Sequence, residues 1–197
     1  MGAEAVDGRV ARRDRNRTAV LDAVLELFAE GNVDPGPEDV GLRVGLSARS
    51  VYRYFEDREA LLRAAIDRNL EVTFPLYLIH AIGEGPLGDR IDRFVTARLR
   101  LYEAIAATSR AARVRASGNE VIREQVEVTR RALREQIEKQ FAPDLAALPA
   151  RRRRAVAAAA DALFQPETLD IYRVHRGFSS TETRALLGDA LHALLDP

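Results

Sequence analysis

The chain has 197 residues, 47% of them apolar and 30% charged, which is enough for a sizeable core and too apolar for an intrinsically disordered chain. It has no cysteine, so a disulfide framework, thiolate metal sites and thiol catalysis are excluded. Thirty basic residues balance thirty acidic ones, so any nucleic-acid contact has to come from a local patch and not from bulk charge.

His80, His175 and His192 lie far apart, which argues against a histidine metal cluster. The polar, arginine-rich N-terminus lacks the apolar core of a signal peptide. The most apolar run, residues 155–164, is interrupted by Asp161 and falls well below the ~20 residues a spanning helix needs. A cytoplasmic protein with no cofactor, metal or membrane partner is expected.

Helical periodicity dominates the chain. Residues 1–17 read as a polar arm carrying Arg9, Arg12, Arg13, Arg15 and Arg17. A first helix then runs to about Glu30, with Leu21, Val24, Leu25 and Phe28 on one stripe and Gly31 as its stop. Pro37 opens a second helix to Val44, which Gly45 breaks. Ser47 caps a third that reaches Phe55, and Asp57 caps a fourth that fades toward Pro75. Beyond the loop at 83–86, the spacing predicts helices over 87–106, 109–116 and 120–141, with Pro143 after the last. Pro149 opens a helix near Ala150 that passes Phe164, where Pro166 must kink or split it. Gly177 closes that region, and Ser179 with Glu182 has capping-box spacing for a last helix to about Leu195. About nine helices and no convincing strand make an all-α protein.

The informative segment is residues 17–62. Three short helices with a glycine between the second and third form a helix-turn-helix. In the third helix Val51 and Phe55 face the core, which leaves Arg49 and Arg53 outside, flanked by Ser50 and Tyr52. Two arginines, a hydroxyl and a phenol suit a DNA groove, because arginine takes guanine bidentately while Ser and Tyr reach phosphates. Arg58 and the arginines of the arm, Arg17 among them, add candidate phosphate contacts. The competing reading is a solvated helix face in an arginine-rich chain.

The run LFAEGNVDPGPEDVGLRVGLSARSVYRYFEDREALL, Leu27 to Leu62, resembles the DNA-binding domain of TetR/AcrR-type transcriptional regulators. The likeness is carried by Leu27-Phe28 with Gly31, Val40-Gly41, Val44-Gly45-Leu46-Ser47, Tyr52, Tyr54-Phe55, Arg58 and Leu61. It implies that Ser47 caps the recognition helix and that Ala48, Arg49 and Ser50 approach base edges. It also implies that Tyr52 and Tyr54 touch phosphate or sugar, and that Arg58 stands for the usual lysine. Two departures matter. Pro35 and Gly36 replace paired threonines before the second helix, and Gly41 replaces an alanine at roughly 1 kcal/mol of helix propensity. Glu38 and Asp39 add acid, and residues 1–58 hold nine arginines against eleven carboxylates, a net charge of −2.

The resemblance divides the chain into the arm, a helix-turn-helix domain at 18–66 and a ligand-binding and dimerisation domain at 67–197. It implies that the last two major helices pair across a two-fold axis. Ala157, Ala160, Leu187, Ala190, Leu191 and Leu194 are the candidate interface residues; the alternative is that this face packs inside one monomer. A candidate pocket is marked by Arg98, a charge on an apolar stripe that needs a partner, and by Asp161, with Tyr102 and Gln165 as further lining groups. A purely structural buried ion pair is the alternative there.

The expectation is a homodimeric regulator, most simply a repressor that binds a palindromic operator and is released by a small molecule. Its rival is a ligand-binding helical protein of the same fold with weak or lost specific DNA binding. An enzyme is disfavoured, because no nucleophile with a base, metal spacing or phosphate loop is present.

Overall fold

A computed structural model describes residues 3–196, with side chains from Val10 onward; Met1, Gly2, Pro197 and the side chain of Arg9 lie outside the described residues. Ten α-helices and no strand occur among them. The first five are α1 (Ala3–Ala29), α2 (Pro37–Val44), α3 (Ala48–Val51), α4 (Arg58–Thr73) and α5 (Leu87–Ala116). The others are α6 (Glu120–Gln140), α7 (Ala142–Ala147), α8 (Ala150–Leu163), α9 (Pro166–Asp170) and α10 (Ser180–Leu195). A 3-10 turn, Phe74–Tyr77, follows α4, and a wider π turn, Ile171–His175, follows α9.

The caps lie where the sequence puts them. Gly31 and Gly45 take left-handed φ values of 94° and 69° after α1 and α2. The Ser47 Oγ accepts the Ser50 N–H at 3.2 Å, and Asp57 Oδ1 accepts the Ala60 N–H at 2.7 Å. Before α10 the box closes on both sides: Glu182 N–H donates to Ser179 Oγ at 3.1 Å and Ser179 N–H to Glu182 Oε2 at 2.8 Å.

Four expectations change. The arm is not separate from the first helix: α1 is already helical at Ala3. The third helix is shorter than expected; its ladder ends at Val51, and the Tyr54 N–H returns to the Val51 carbonyl at 2.9 Å in a tighter turn. The aromatic run there has little helix propensity to extend it. Helices 87–106 and 109–116 are one helix, because Ala107-Thr108-Ser109 contains no Gly or Pro to interrupt the ladder. Pro143 starts α7 instead of ending the structure, since proline suits a first helical turn. Pro166 does as expected: it splits the late helix and opens α9.

The chain forms two compact units. The first comprises Met1–Val72 with Ala107–Ile122, so the end of α5 packs with the helix-turn-helix. Its core is built from Val20, Val24 and Phe28 of α1, Val40 of α2, Val51 and Phe55 around α3, and Leu61, Leu62 and Ala65 of α4. These are the three- and four-residue spacings of amphipathic helices.

The second unit comprises Thr73–Ala106 with Arg123–Pro197. Its core centres on Phe94, which meets Phe141 and Phe164 edge-on at centroid distances of 5.3 and 5.0 Å. Leu187 and Leu191 are 0% exposed and Ala160 2% exposed in this core. Those three side chains are therefore covered by their own chain and leave no surface for a partner, which removes them as interface residues. Ala157, Ala190 and Leu194 are only half-buried. The reason lies in phase: the apolar stripe of α10 turns toward α8, not outward.

Candidate nucleic-acid interface

The third helix of the first unit is held from behind by Val51, 1% exposed, and Phe55, 6% exposed. On the opposite side Arg49 and Arg53 are exposed and Tyr52 is 46% exposed. Among the described residues none of these three side chains has a hydrogen bond or ion pair inside the chain. Ala48 and Ser50 are half-buried beside them, and the Ser47 and Ser50 hydroxyls share a 3.0 Å bond within the cap. Two guanidiniums and a phenol are thus presented, without internal side-chain partners, from α3 and the turn after it, held by a cap and two core anchors.

The flanks are more constrained. Tyr54 is half-buried and its hydroxyl accepts from Asn16 Nδ2 at 3.2 Å, which ties the turn after α3 to α1. Arg17 lies over the Phe55 ring, 5.2 Å from its centroid. Arg58 is engaged: its Nε donates to the Pro35 carbonyl at 3.2 Å, and its Nη2 bonds the Asp34 carbonyl and carboxylate. Asp34 is shared with Arg115 from the end of α5, and Arg115 also lies 3.7 Å from Glu59. The expected phosphate-contacting charge of Arg58 is therefore neutralised by a neighbour in the resting head. Asn16, Asp34 and Arg115 are the residues that sequence reading missed, since none of them stands in a motif.

The turn before α2 substitutes one cap for another. With no hydroxyl at Pro35 or Gly36, the Asp39 carboxylate accepts the Gly36 N–H at 2.8 Å. Gly41 also gains a reason. A Cβ there would lie 2.5 Å from the Leu46 carbonyl oxygen, so the tight α2–α3 turn requires glycine.

The sequence pattern of the bacterial regulatory proteins of the tetR family matches residues 20–65. That segment is a TetR-family helix-turn-helix. The rest of the chain is similar to that family in fold. A tetR-family transcriptional regulator from Streptomyces coelicolor superposes with a TM-score of 0.68 at 21% identity, over 92% of this chain and 80% of that one. A protein of Rhodococcus sp. assigned to the same family gives 0.67 at 20% identity, over 92% of this chain and 100% of its own. No curated protein matches the chain. Among the described residues no helix is long and apolar enough to cross a membrane.

The candidate pocket residues of the second unit separate into two groups. Arg98 is 3% exposed, donates from Nη2 to the Leu133 carbonyl at 2.7 Å and stacks 4.8 Å from the Phe94 ring centroid. Burial pushes its guanidinium down to about 10, opposed by the nearby Asp161 charge. The expected Arg98–Asp161 ion pair does not close, because Asp161 Oδ1 instead accepts from Gln165 Nε2 at 2.7 Å. Tyr102 is likewise buried and donates to Asp170 Oδ1 at 2.8 Å. Asp161 and Gln165 line an open surface groove of about 400 Å³, whereas Arg98 and Tyr102 do not. Its other polar lining residues are Glu127, Arg130 and Arg134 of α6 and Glu167 and Thr168 of α9. Sequence reading found one side of this groove and missed the α6 side, whose charges resemble an ordinary solvated helix face.

Proposed function

We propose that this protein is a ligand-responsive transcriptional regulator that binds a palindromic operator as a homodimer and is released by a small molecule. The observation that carries the reading is the exposed Arg49–Tyr52–Arg53 face, without internal partners, on a TetR-family helix-turn-helix. Ala48, Arg49, Ser50 and Arg53 approach base edges; Tyr52 and Tyr54 hold phosphate or sugar; Arg17 adds a backbone contact, and Arg58 adds another only when Asp34 releases it. A dimer places two such helices one turn apart, about 34–36 Å, which requires a two-fold symmetric site. The dimer surface is the outer side of α8 and α10, where Ala157, Ala190 and Leu194 are joined by the exposed Ala158 and Ala193. A ligand bound in the second unit weakens DNA binding only if it favours the state with the poorer head spacing.

A second reading, a helical ligand binder whose specific DNA binding is weak, is favoured by Glu38, Asp39 and the Asp34 clamp on Arg58. Fluorescence-anisotropy titration of the DNA upstream of its own gene, against a scrambled duplex at low and near-physiological salt, separates the two. The regulator prefers the native fragment at both salts. Equal and salt-sensitive binding to both duplexes favours the ligand binder.

A further inference from the structure

The side chains of the reading face restrict which base it can choose. From Val40 to Phe55 the chain holds no Asn, Gln, Asp or Glu. The flanking carboxylates of Asp39 and Asp57 already accept main-chain N–H groups at the starts of α2 and α4. Three arginines lie in the segment. Arg43 is committed, with two 2.6 Å bonds to Glu30 and one of 3.3 Å to Glu26. Arg49 and Arg53 are exposed, and among the described residues their side chains have no partner. A guanidinium has donors only. In the major groove guanine offers two neighbouring acceptors, O6 and N7, whereas adenine and cytosine each present a donor that takes an amide or a carboxylate to read. The Ser47 and Ser50 hydroxyls share a 3.0 Å bond in the cap, and a hydroxyl donates or accepts, so it does not rank the bases. Half-buried Ala48 adds only a methyl group.

We infer that each operator half-site is read through guanine, and that Arg49 is the residue that selects it. Arg49 stands in the first turn of α3, the part of a recognition helix that meets base edges, and the Ser47 cap fixes that turn. Arg53 lies beyond Val51, in the turn after the helix, and the same chemistry directs it to a second guanine. Direct reading by α3 selects neither adenine nor cytosine; a preference for A·T pairs elsewhere in the site comes from DNA shape. This choice of base rests on the DNA-reading function proposed above and adds to it the base and the residue that selects it.

The test is selection from a random duplex pool with the full wild-type chain and with Arg49→Gln, followed by anisotropy on the wild-type consensus duplex. The wild type is expected to enrich a palindrome with an invariant guanine in each half-site. Arg49→Gln should move that position from guanine to adenine, because a glutamine amide pairs with adenine N6 and N7. Arg43→Gln, run beside it, should keep the guanine. In the consensus duplex, adenine in place of that guanine should weaken wild-type binding by about 10- to 100-fold. A deazaguanine that lacks only the N7 acceptor should weaken it by about 10-fold, and Arg49→Ala should no longer distinguish the two guanines. The deazaguanine comparison on the wild type needs no variant, so it decides the matter where a thermal melt shows that Arg49→Gln does not fold. An enriched palindrome without guanine in its half-sites, or a guanine whose N7 can be removed without loss, would overturn the assignment and leave the regulator standing. So would a guanine that persists in a folded Arg49→Gln. No enriched sequence at all would overturn both.

Discussion

Arginines of the two units show two opposite uses of the same side chain. In the first, Arg49 and Arg53 are exposed and make no internal bond. In the second, Arg90 is 4% exposed and holds the Gly85 and Gln140 carbonyls at 3.0 and 2.9 Å together with the Asp144 carboxylate. Arg98 is buried against Phe94, Arg130 bridges two glutamates, and Arg184 pairs with Asp92 at 2.6 Å. An arginine-rich composition therefore says little about function by itself. What distinguishes a reading face is that its cations have no carboxylate within reach while the helix beneath them is rigid. The first unit also contains engaged arginines: Arg58 and Arg115 share Asp34, Arg43 pairs with Glu30 and Arg68 with Asp22.

Four substitutions sharpen or break that contrast. The largest effect is expected at the DNA. Arg49→Ala should lower affinity for the preferred sequence by about 10- to 100-fold, the ~1–3 kcal/mol of a bidentate base contact, while Arg184→Ala leaves it unchanged. Equal losses in both variants, measured by anisotropy, would dissolve the distinction between the units.

Next comes Gly41→Ala. Its Cβ would meet the Leu46 carbonyl oxygen at 2.5 Å, so the turn beneath the reading helix must shift, at about 1–3 kcal/mol. An unchanged Tm would show that the turn is not tight.

Arg98→Met has the opposite sign. The folded-state value of Arg98, about 10, lies below the ordinary guanidinium range, so burial disfavours the charged form. That cost is present in full below about pH 10 and fades as pH rises above it. Removing the charge with a side chain of similar length should raise stability at neutral pH by about 1–3 kcal/mol in a denaturant melt. A lowered stability would mean that the Phe94 and Leu133 contacts outweigh the desolvation.

The smallest effect is Asp34→Asn. Releasing Arg58 and Arg115 should raise DNA affinity a few-fold at low salt and steepen the salt dependence by about one phosphate contact. An unchanged salt slope would show that neither arginine reaches the backbone.

The head was legible in the sequence because its signals are local. Ser47, Asp57, Gly31 and Gly45 act on neighbours within four residues, and the Val51–Phe55 spacing fixes which side of α3 faces out. The long-range restraints were not legible: Asn16 reaches Tyr54 across 38 residues and Arg58 returns to Asp34 across 24. In the second unit Arg98 was identified as a charge on an apolar stripe, and it is buried. Its closest partner is a main-chain carbonyl, which no residue pattern marks. Asp161 and Gln165 meet because they are four residues apart, yet Glu127, Arg130 and Glu167 complete the groove only through tertiary packing. The stripe on α10 was read correctly as apolar; burial inside its own chain decides which of its residues remain for a partner.

The measurement that bears most directly on the reading face is selection from a random duplex pool, run in parallel with the wild-type chain and with the Arg49→Ala/Arg53→Ala double variant. The account predicts a palindromic consensus for the wild type, with half-sites about one helical turn apart, and its loss in the double variant. No enrichment with the wild type, or the same consensus from both proteins, would contradict it.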